Sequence, residues 1–217
     1  MAKSSGTLRR YTNVLSLLDI LNKGRLTLLS PDKWYDQNDA FGLKRYAELP
    51  GKGATYALCF AEGSEQAHHW QIFAGDSHGV AVIFDKAKLL KSFERFKHSS
   101  EIMHGAVQYR NLTQMNAMGH ILPEQLPFLK RDAFAAEEEY RVIAWKDASL
   151  DTGSYQIPID LSSIAHIFYG PNMPEALAVN LKEIVRELNG CTDITFSKSK
   201  VVNNASWEKA ISKGLRP

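Results

Sequence analysis

Apolar residues first recur at helical spacing in Val14, Leu17, Leu18 and Leu21. Asn13 stands ahead of them as an N-cap and Gly24 behind them as a stop, so a helix is predicted between. Residues 8–12 and 25–29 read as short strands on either side, and Ser30-Pro31 as a turn opening a helix or loop through Trp34. Residues 35–52 are polar with no sustained period and predict a loop covering a site. Dense apolar runs at 56–60 and 79–84 predict buried strands. Residues 64–74 have helical character, with Trp70 and Phe73 on one side, and 86–96 continue as a helix behind Asp85. Residues 106–109 suggest a further strand, and 112–129 are apolar but broken by Pro123 and Pro127, which predicts helical pieces. The β-branched and aromatic residues of 139–145 predict a strand, with shorter ones at 155–158, 164–169 and 193–197. Gly170-Pro171 marks a turn and Pro174 fits the first turn of a helix over 175–188.

Strands cluster in the middle of the chain with helices before, between and after them. That order predicts an α+β fold, a central mixed or antiparallel sheet with helices packed around it. No internal repeat or linker interrupts it. Residues 1–217 therefore read as a single domain with a frayed start at 1–7 and a basic tail at 198–217.

Composition narrows the function classes. A chain of 217 residues with 44% hydrophobic and 23% charged content can bury one substantial core, and it has neither a disordered nor a membrane composition. A net charge of +2 does not imply nucleic acid. Basic residues gather at 86–97 and 198–213, but Glu94 interrupts the first and Glu208 the second, so nucleic acid is only a weak candidate partner through the tail. Cys59 and Cys191 form neither a disulfide framework nor a metal-ligand spacing. No stretch is apolar enough to span a bilayer, and residues 1–8 lack the core of a signal peptide. The expectation is a cytoplasmic protein with no membrane partner and no metal.

The segment with most chemistry is Glu137-Glu138-Glu139-Tyr140-Arg141. Read as extended backbone, its period of two puts Glu137, Glu139 and Arg141 on one face. Adjacent carboxylates are costly inside a fold unless something uses them. Two on one face can hold a sugar hydroxyl and orient a nucleophile, and a negative group stabilises a developing oxocarbenium ion. The plainer reading is a strand whose Glu139 and Arg141 pair with neighbouring strands. Arg9-Arg10-Tyr11 offers a guanidinium fork for phosphate or carboxylate beside an aromatic ring, or simply a basic surface pair. His68 and His69 are vicinal and make a poor metal pair, while Trp70 packs the helix on the sheet or stacks on a ligand ring. The glycines of 75–79 lack the order of a phosphate-binding loop, and no nucleophile elbow is present.

Several segments in fixed order carry a resemblance. They are Arg10-Tyr11, Leu28-Leu29-Ser30-Pro31, Asn38-Asp39, Cys59-Phe60, His69-Trp70 and Gly79-Val80-Ala81-Val82-Ile83-Phe84-Asp85. Val107-Gln108-Tyr109, Lys130 with Phe134, Glu137-x-Glu139-Tyr140-Arg141 and Ile167-Phe168-Tyr169-Gly170-Pro171 complete the set. Together they resemble the bacterial and phage family called domain of unknown function 2971, from about Arg9 to Ser197. Ala40 and Ala61 stand where that family usually has proline and serine. More distantly, the order Arg10, Cys59-Phe60-Ala61, Glu137-x-Glu139 is similar to that of ADP-ribosyltransferases. That similarity implies an NAD-using enzyme acting on an unknown macromolecular acceptor, in a setting of phage–host conflict. Arg10 would grip a phosphate or ribose of NAD, Tyr11 or Trp70 would stack on a ring, Glu139 would stabilise the oxocarbenium, and Glu137 would orient the acceptor. The alternative is a non-enzymatic interaction or regulatory module with an ion-paired 137–141 strand.

Overall fold

A computed structural model describes residues 6–215. The first strand, β1 (Thr7–Asn13), runs straight into α1 (Val14–Lys23). The Asn13 side chain caps that helix by accepting from the Ser16 backbone, and Gly24 ends it at φ +58°, where a side chain would be strained. After β2 (Arg25–Leu29) comes α2 (Gln37–Ala47), then β3 (Ala54–Ala61). The short helix α3 (Ala67–His69) widens into a looser turn at Trp70–Ala74 and leads to β4 (Gly79–Asp85) and α4 (Lys86–Arg95). Next are β5 (Ile102–Ala106), β6 (Gln108–Arg110), α5 (Leu112–Ala117), β7 (Leu129–Arg131) and β8 (Glu139–Lys146). The chain closes with β9 (Ser154–Pro158), β10 (Ile164–Tyr169), α6 (Glu175–Glu187), β11 (Phe196–Lys198) and α7 (Ala205–Gly214).

The α+β expectation is met by a nine-stranded mixed sheet with helices around it. All its pairings are antiparallel except β10 with β11. β3 pairs along its whole length with β8, which carries β5 beyond it. The other edge of β3 is shared: β1 meets it at Arg9–Ala61, and β2 meets it at Leu29–Ala57. Between those two contacts the sheet forks, with β1, β4, β10 and β11 diverging from β2 and β9.

Residues directly opposed across a ladder share a face, so these registers sort the sheet into two faces. One holds Leu8, Leu58, Phe60, Val80, Val82, Phe84, Val142 and Ile157, buried under α1, α4 and α6 in the main core. The other face carries two small apolar clusters. Tyr11, Ala61 and Ala81 lie under Trp70 and Ala74, while Ala57 and Ile143 lie under Leu43 and Tyr46 of α2. Between those clusters the same face carries Glu139 and Arg141.

Three expectations are corrected. The polar stretch 35–52 is not a loop but contains α2, capped by the Asp36 carboxylate on the backbone of Asn38 and Asp39. Its buried side, Asp39, Ala40, Leu43 and Tyr46, has helical spacing, but one member is charged, which hides the period. Glu137 and Glu138 are not extended: Glu137 ends a tight turn and Glu138 lies in the left-handed region at φ +44°. The last strand is Phe196–Lys198 rather than 193–197, because it pairs only with residues 167–169 of β10. Within the expected basic tail, α7 has no buried residue. Of the frayed start expected at 1–7, residues 1–5 lie outside the described residues, and Thr7 instead opens β1. No helix among the described residues is long and apolar enough to cross a membrane.

Candidate functional site

Five ionisable side chains from four parts of the chain converge beside the fork. Arg141 on β8 is fully buried. It donates to both Asp39 oxygens at 2.8 and 2.7 Å, to both Glu139 oxygens at 3.3 and 2.8 Å, and to the Pro127 carbonyl at 2.8 Å. Lys130 on β7 reaches Glu137 at 2.5 Å, Glu139 at 3.3 Å and Asp39 at 3.5 Å. Trp34 lies 5.2 Å from the Arg141 guanidinium carbon, and Phe134 lies 5.0 Å from Lys130 Nζ. The Tyr109 hydroxyl accepts the Glu139 backbone N–H at 2.9 Å.

Within hydrogen-bonding range, three carboxylates share two cations. Both Asp39 oxygens accept from a guanidinium, the pattern of an ionised carboxylate. Burial alone would raise the Glu139 pKa, but Arg141 and then Lys130 more than offset it, and it falls to about 2. For Asp39 and Glu137 burial wins over the neighbouring cations, and both rise above their ordinary values. The Cys59 thiol also hydrogen-bonds Glu139 and helps hold it ionised, while burial pushes the thiol's own pKa up. A sulfur donor thus stands beside the glutamate although Ala61 has no hydroxyl.

The fork separates the two arginines of β1. Arg10 lies on the main-core side by register, and its Nη1 enters the fork to donate to the Cys59 carbonyl at 2.9 Å. Burial lowers its pKa, opposed by Cys59 and then by the Glu139 charge. Arg9 opposes Ala61 and therefore shares the face of Glu139 and Arg141. Tyr11 follows on that face, with the Trp70 ring edge-on at 5.2 Å. Trp70 is buried and its Nε1 donates to Glu65 at 2.8 Å, so it forms a wall of the region rather than an open stacking surface.

Glu137 and Glu139 do meet at one cation, Lys130, though by a different geometry from strand alternation. The left-handed Glu138 turns the chain so that two residues flanking it face the same ammonium. Glu138 itself is exposed. Glu139 has Arg141 and Lys130 as hydrogen-bonding partners, and Arg10 acts on it through space. Sequence reasoning missed Asp39, Lys130 and Cys59 as members of the site. The signal for all three was their presence in the ordered motif set. No group of histidine, cysteine and carboxylate side chains among the described residues is arranged to hold a metal ion.

Comparison with known proteins gives limited matches. No curated protein matches the chain in sequence. Among solved structures, DarT of Thermus sp. 2.9 in complex with carba-NAD+ is 11% identical, with 91% of this chain and 97% of that chain covered at a TM-score of 0.45. The same protein in complex with NAD+ gives 12% identity, 92% and 98% coverage, and a TM-score of 0.44. Similarity at that level does not transfer a ligand from one chain to the other. The family resemblance is found over a shorter stretch than about Arg9 to Ser197, one that includes Lys130, Glu137, Glu139 and Arg141 but neither β1 nor α2. Residues 69–142 match the family described as protein of unknown function (DUF2971).

Proposed function

We propose that the protein is an ADP-ribosyltransferase-like enzyme that uses NAD as substrate. The observation that carries this reading is the buried carboxylate excess at the sheet fork: Glu139, 5% exposed, is kept ionised within a network of three carboxylates and two cations. In the reaction the bond from ribose C1′ to the nicotinamide nitrogen breaks and its electron pair leaves with nicotinamide. Positive charge develops on the ribose, an acceptor oxygen or nitrogen adds at C1′, and the acceptor loses its proton. A fixed negative group in a water-poor site favours that charge more than it favours the neutral ribose of the ground state. Glu139 supplies it, and Arg141, Lys130 and Cys59 hold the carboxylate in place. Glu137, on the same lysine, orients the acceptor, while Arg10 fixes the fork through the Cys59 carbonyl. Tyr11 and Trp70 bound the ligand region on the β1 side. An intracellular macromolecule is the acceptor, and phage–host conflict is the setting suggested by the motif family.

One observation favours a second reading. Both Glu139 oxygens are already engaged by Arg141, as in an ion-paired strand of a non-enzymatic interaction module. Calorimetry with NAD separates the two. The transferase reading predicts binding by the intact protein in the micromolar to millimolar range, weakened in Glu139→Gln. No heat of binding at several millimolar NAD would leave the interaction module as the reading.

A further inference from the structure

One basic stretch of the sequence has no part in the site around Glu139. α4 carries Lys88, Lys91, Ser92 and Arg95 at helical spacing along one side, and Lys97 follows its end. Leu89 and Phe93 of the same helix are buried in the main core, so α4 and the carboxylate network lie on opposite faces of the sheet. Lys88 and Lys91 stand three residues apart and Lys91 and Arg95 four, which makes like charges neighbours on the helix surface, an unfavourable arrangement by itself. Among the described residues none of Lys88, Lys91, Arg95 and Lys97 forms an ion pair with a carboxylate.

A cleft of about 280 Å³ opens between the last turn of α4 and the end of β9, lined by Ser92, Arg95, Phe96, Lys97, Ile159 and Asp160. Ser92 fixes its shape: the hydroxyl accepts the Asp160 backbone N–H at 3.1 Å and donates to the Lys88 carbonyl at 3.3 Å. Lys88 Nζ donates to the Ser162 carbonyl at 3.4 Å and ties the same side of α4 to the segment after β9. The Ser162 backbone N–H and hydroxyl, then Arg95 and Lys88 through space, hold the Asp160 carboxylate below its ordinary pKa. Its bonded partner is thus a neutral residue, and no carboxylate contact neutralises Arg95. Phe96 and Ile159, both packed into the main core, add an apolar wall.

We propose that this cleft binds a phosphate monoester carried on a sugar, either a sugar phosphate or a nucleoside monophosphate. Such a group carries roughly −1.5 to −2 charge at neutral pH, which matches Arg95 and Lys97 together. The guanidinium fork of Arg95 suits two of its oxygens. A helical side chain leans towards the N-terminus, so Arg95 lies back along Ser92 and away from the carbonyl end of α4, where an anion is unfavourable. Asp160 accepts from sugar hydroxyls, and Phe96 and Ile159 cover the ring carbons. Lys88 precedes Arg95 by seven residues, about 10 Å along the helix, so it raises the positive potential nearby without touching the same phosphate. The volume stands at the lower end for ligand sites and suits a monophosphate rather than a dinucleotide. The cleft is independent of the transferase reading, being on the other face of the sheet from Glu139.

The test is calorimetry of the intact protein titrated separately with inorganic phosphate, ribose 5-phosphate and AMP. AMP or ribose 5-phosphate is expected to bind at least tenfold more tightly than inorganic phosphate. The double substitution Arg95→Gln with Lys97→Gln is expected to weaken that binding at least tenfold. Both side chains are exposed, so the variant should keep the wild-type unfolding temperature. AMP binding at least tenfold tighter than ribose 5-phosphate assigns a nucleoside monophosphate, and a smaller ratio assigns a sugar phosphate. In NMR of the wild type, the tighter ligand should move the backbone amide signals of Asp160 and Ser162 and leave those of Glu139 and Arg141 in place. No binding of any of the three at several millimolar, affinities within tenfold of inorganic phosphate, or wild-type affinity in the double variant overturns the proposal. So do shifts confined to Glu139 and Arg141. If the double variant does not fold, the wild-type NMR titration decides.

Discussion

Replacing Arg141 by methionine removes the guanidinium that holds Asp39 of α2 to Glu139 of β8. Methionine fills part of the space but leaves two buried carboxylates with Lys130 as their remaining cation. Breaking a buried ion pair by deleting one partner costs about 3–5 kcal/mol. A second route gives a similar figure: the fall of Glu139 from its ordinary 4.5 to about 2 corresponds to about 3 kcal/mol of stabilisation at neutral pH. The sign fixes a pH window. Glu139 has a depressed folded value, so its contribution is fully present above pH 4.5 and is lost as pH falls towards 2. Asp39 and Glu137 have raised values and run the other way, since protonation relieves the cost of burying their charge. Urea unfolding of wild type and Arg141→Met at pH 7 should therefore differ by about 3–5 kcal/mol at equal m-value, and the gap should narrow to roughly half by pH 3. A loss below about 1 kcal/mol at pH 7, or a gap that does not narrow in acid, would refute the reasoning.

Further expectations follow from individual residues. Glu138→Gly relieves the left-handed backbone at φ +44° and should raise stability by about 0.5–1 kcal/mol in thermal unfolding. Asp36→Ala removes the cap of α2 and should cost about 1 kcal/mol, with faster amide exchange confined to that helix. The raised Cys59 pKa keeps the thiol protonated near neutral pH, so alkylation of Cys59 should be slow in native protein and appear with unfolding, which mass spectrometry reads directly.

Much of the sheet was readable in the sequence because its strands are apolar runs or end in strong turn residues. Gly79–Asp85 is buried on both faces and reads as an unbroken run. Asn13, Gly24 and Asp85 announced helix ends that the structure keeps. The second helix was missed for a physical reason. Its inner side includes Asp39, whose burial makes sense only with Arg141, 102 residues away. The site shows the same limit. Local alternation picked Glu137, Glu139 and Arg141 as companions, and they are, but through the turn at Glu138 rather than an extended run. Which arginine of β1 shares the face of Glu139 depends on the single Arg9–Ala61 contact at the fork, and no local pattern encodes that pairing.

The central claim is that Glu139 stabilises charge on a ribose during transfer from NAD, and the rate of nicotinamide release from NAD tests it most directly. Wild-type protein should release nicotinamide, Glu138→Gln should do so within about twofold of wild type, and Glu139→Gln should be slower by about 10²–10³ while remaining folded. No release by wild type at millimolar NAD, or an unchanged rate in Glu139→Gln, would contradict it.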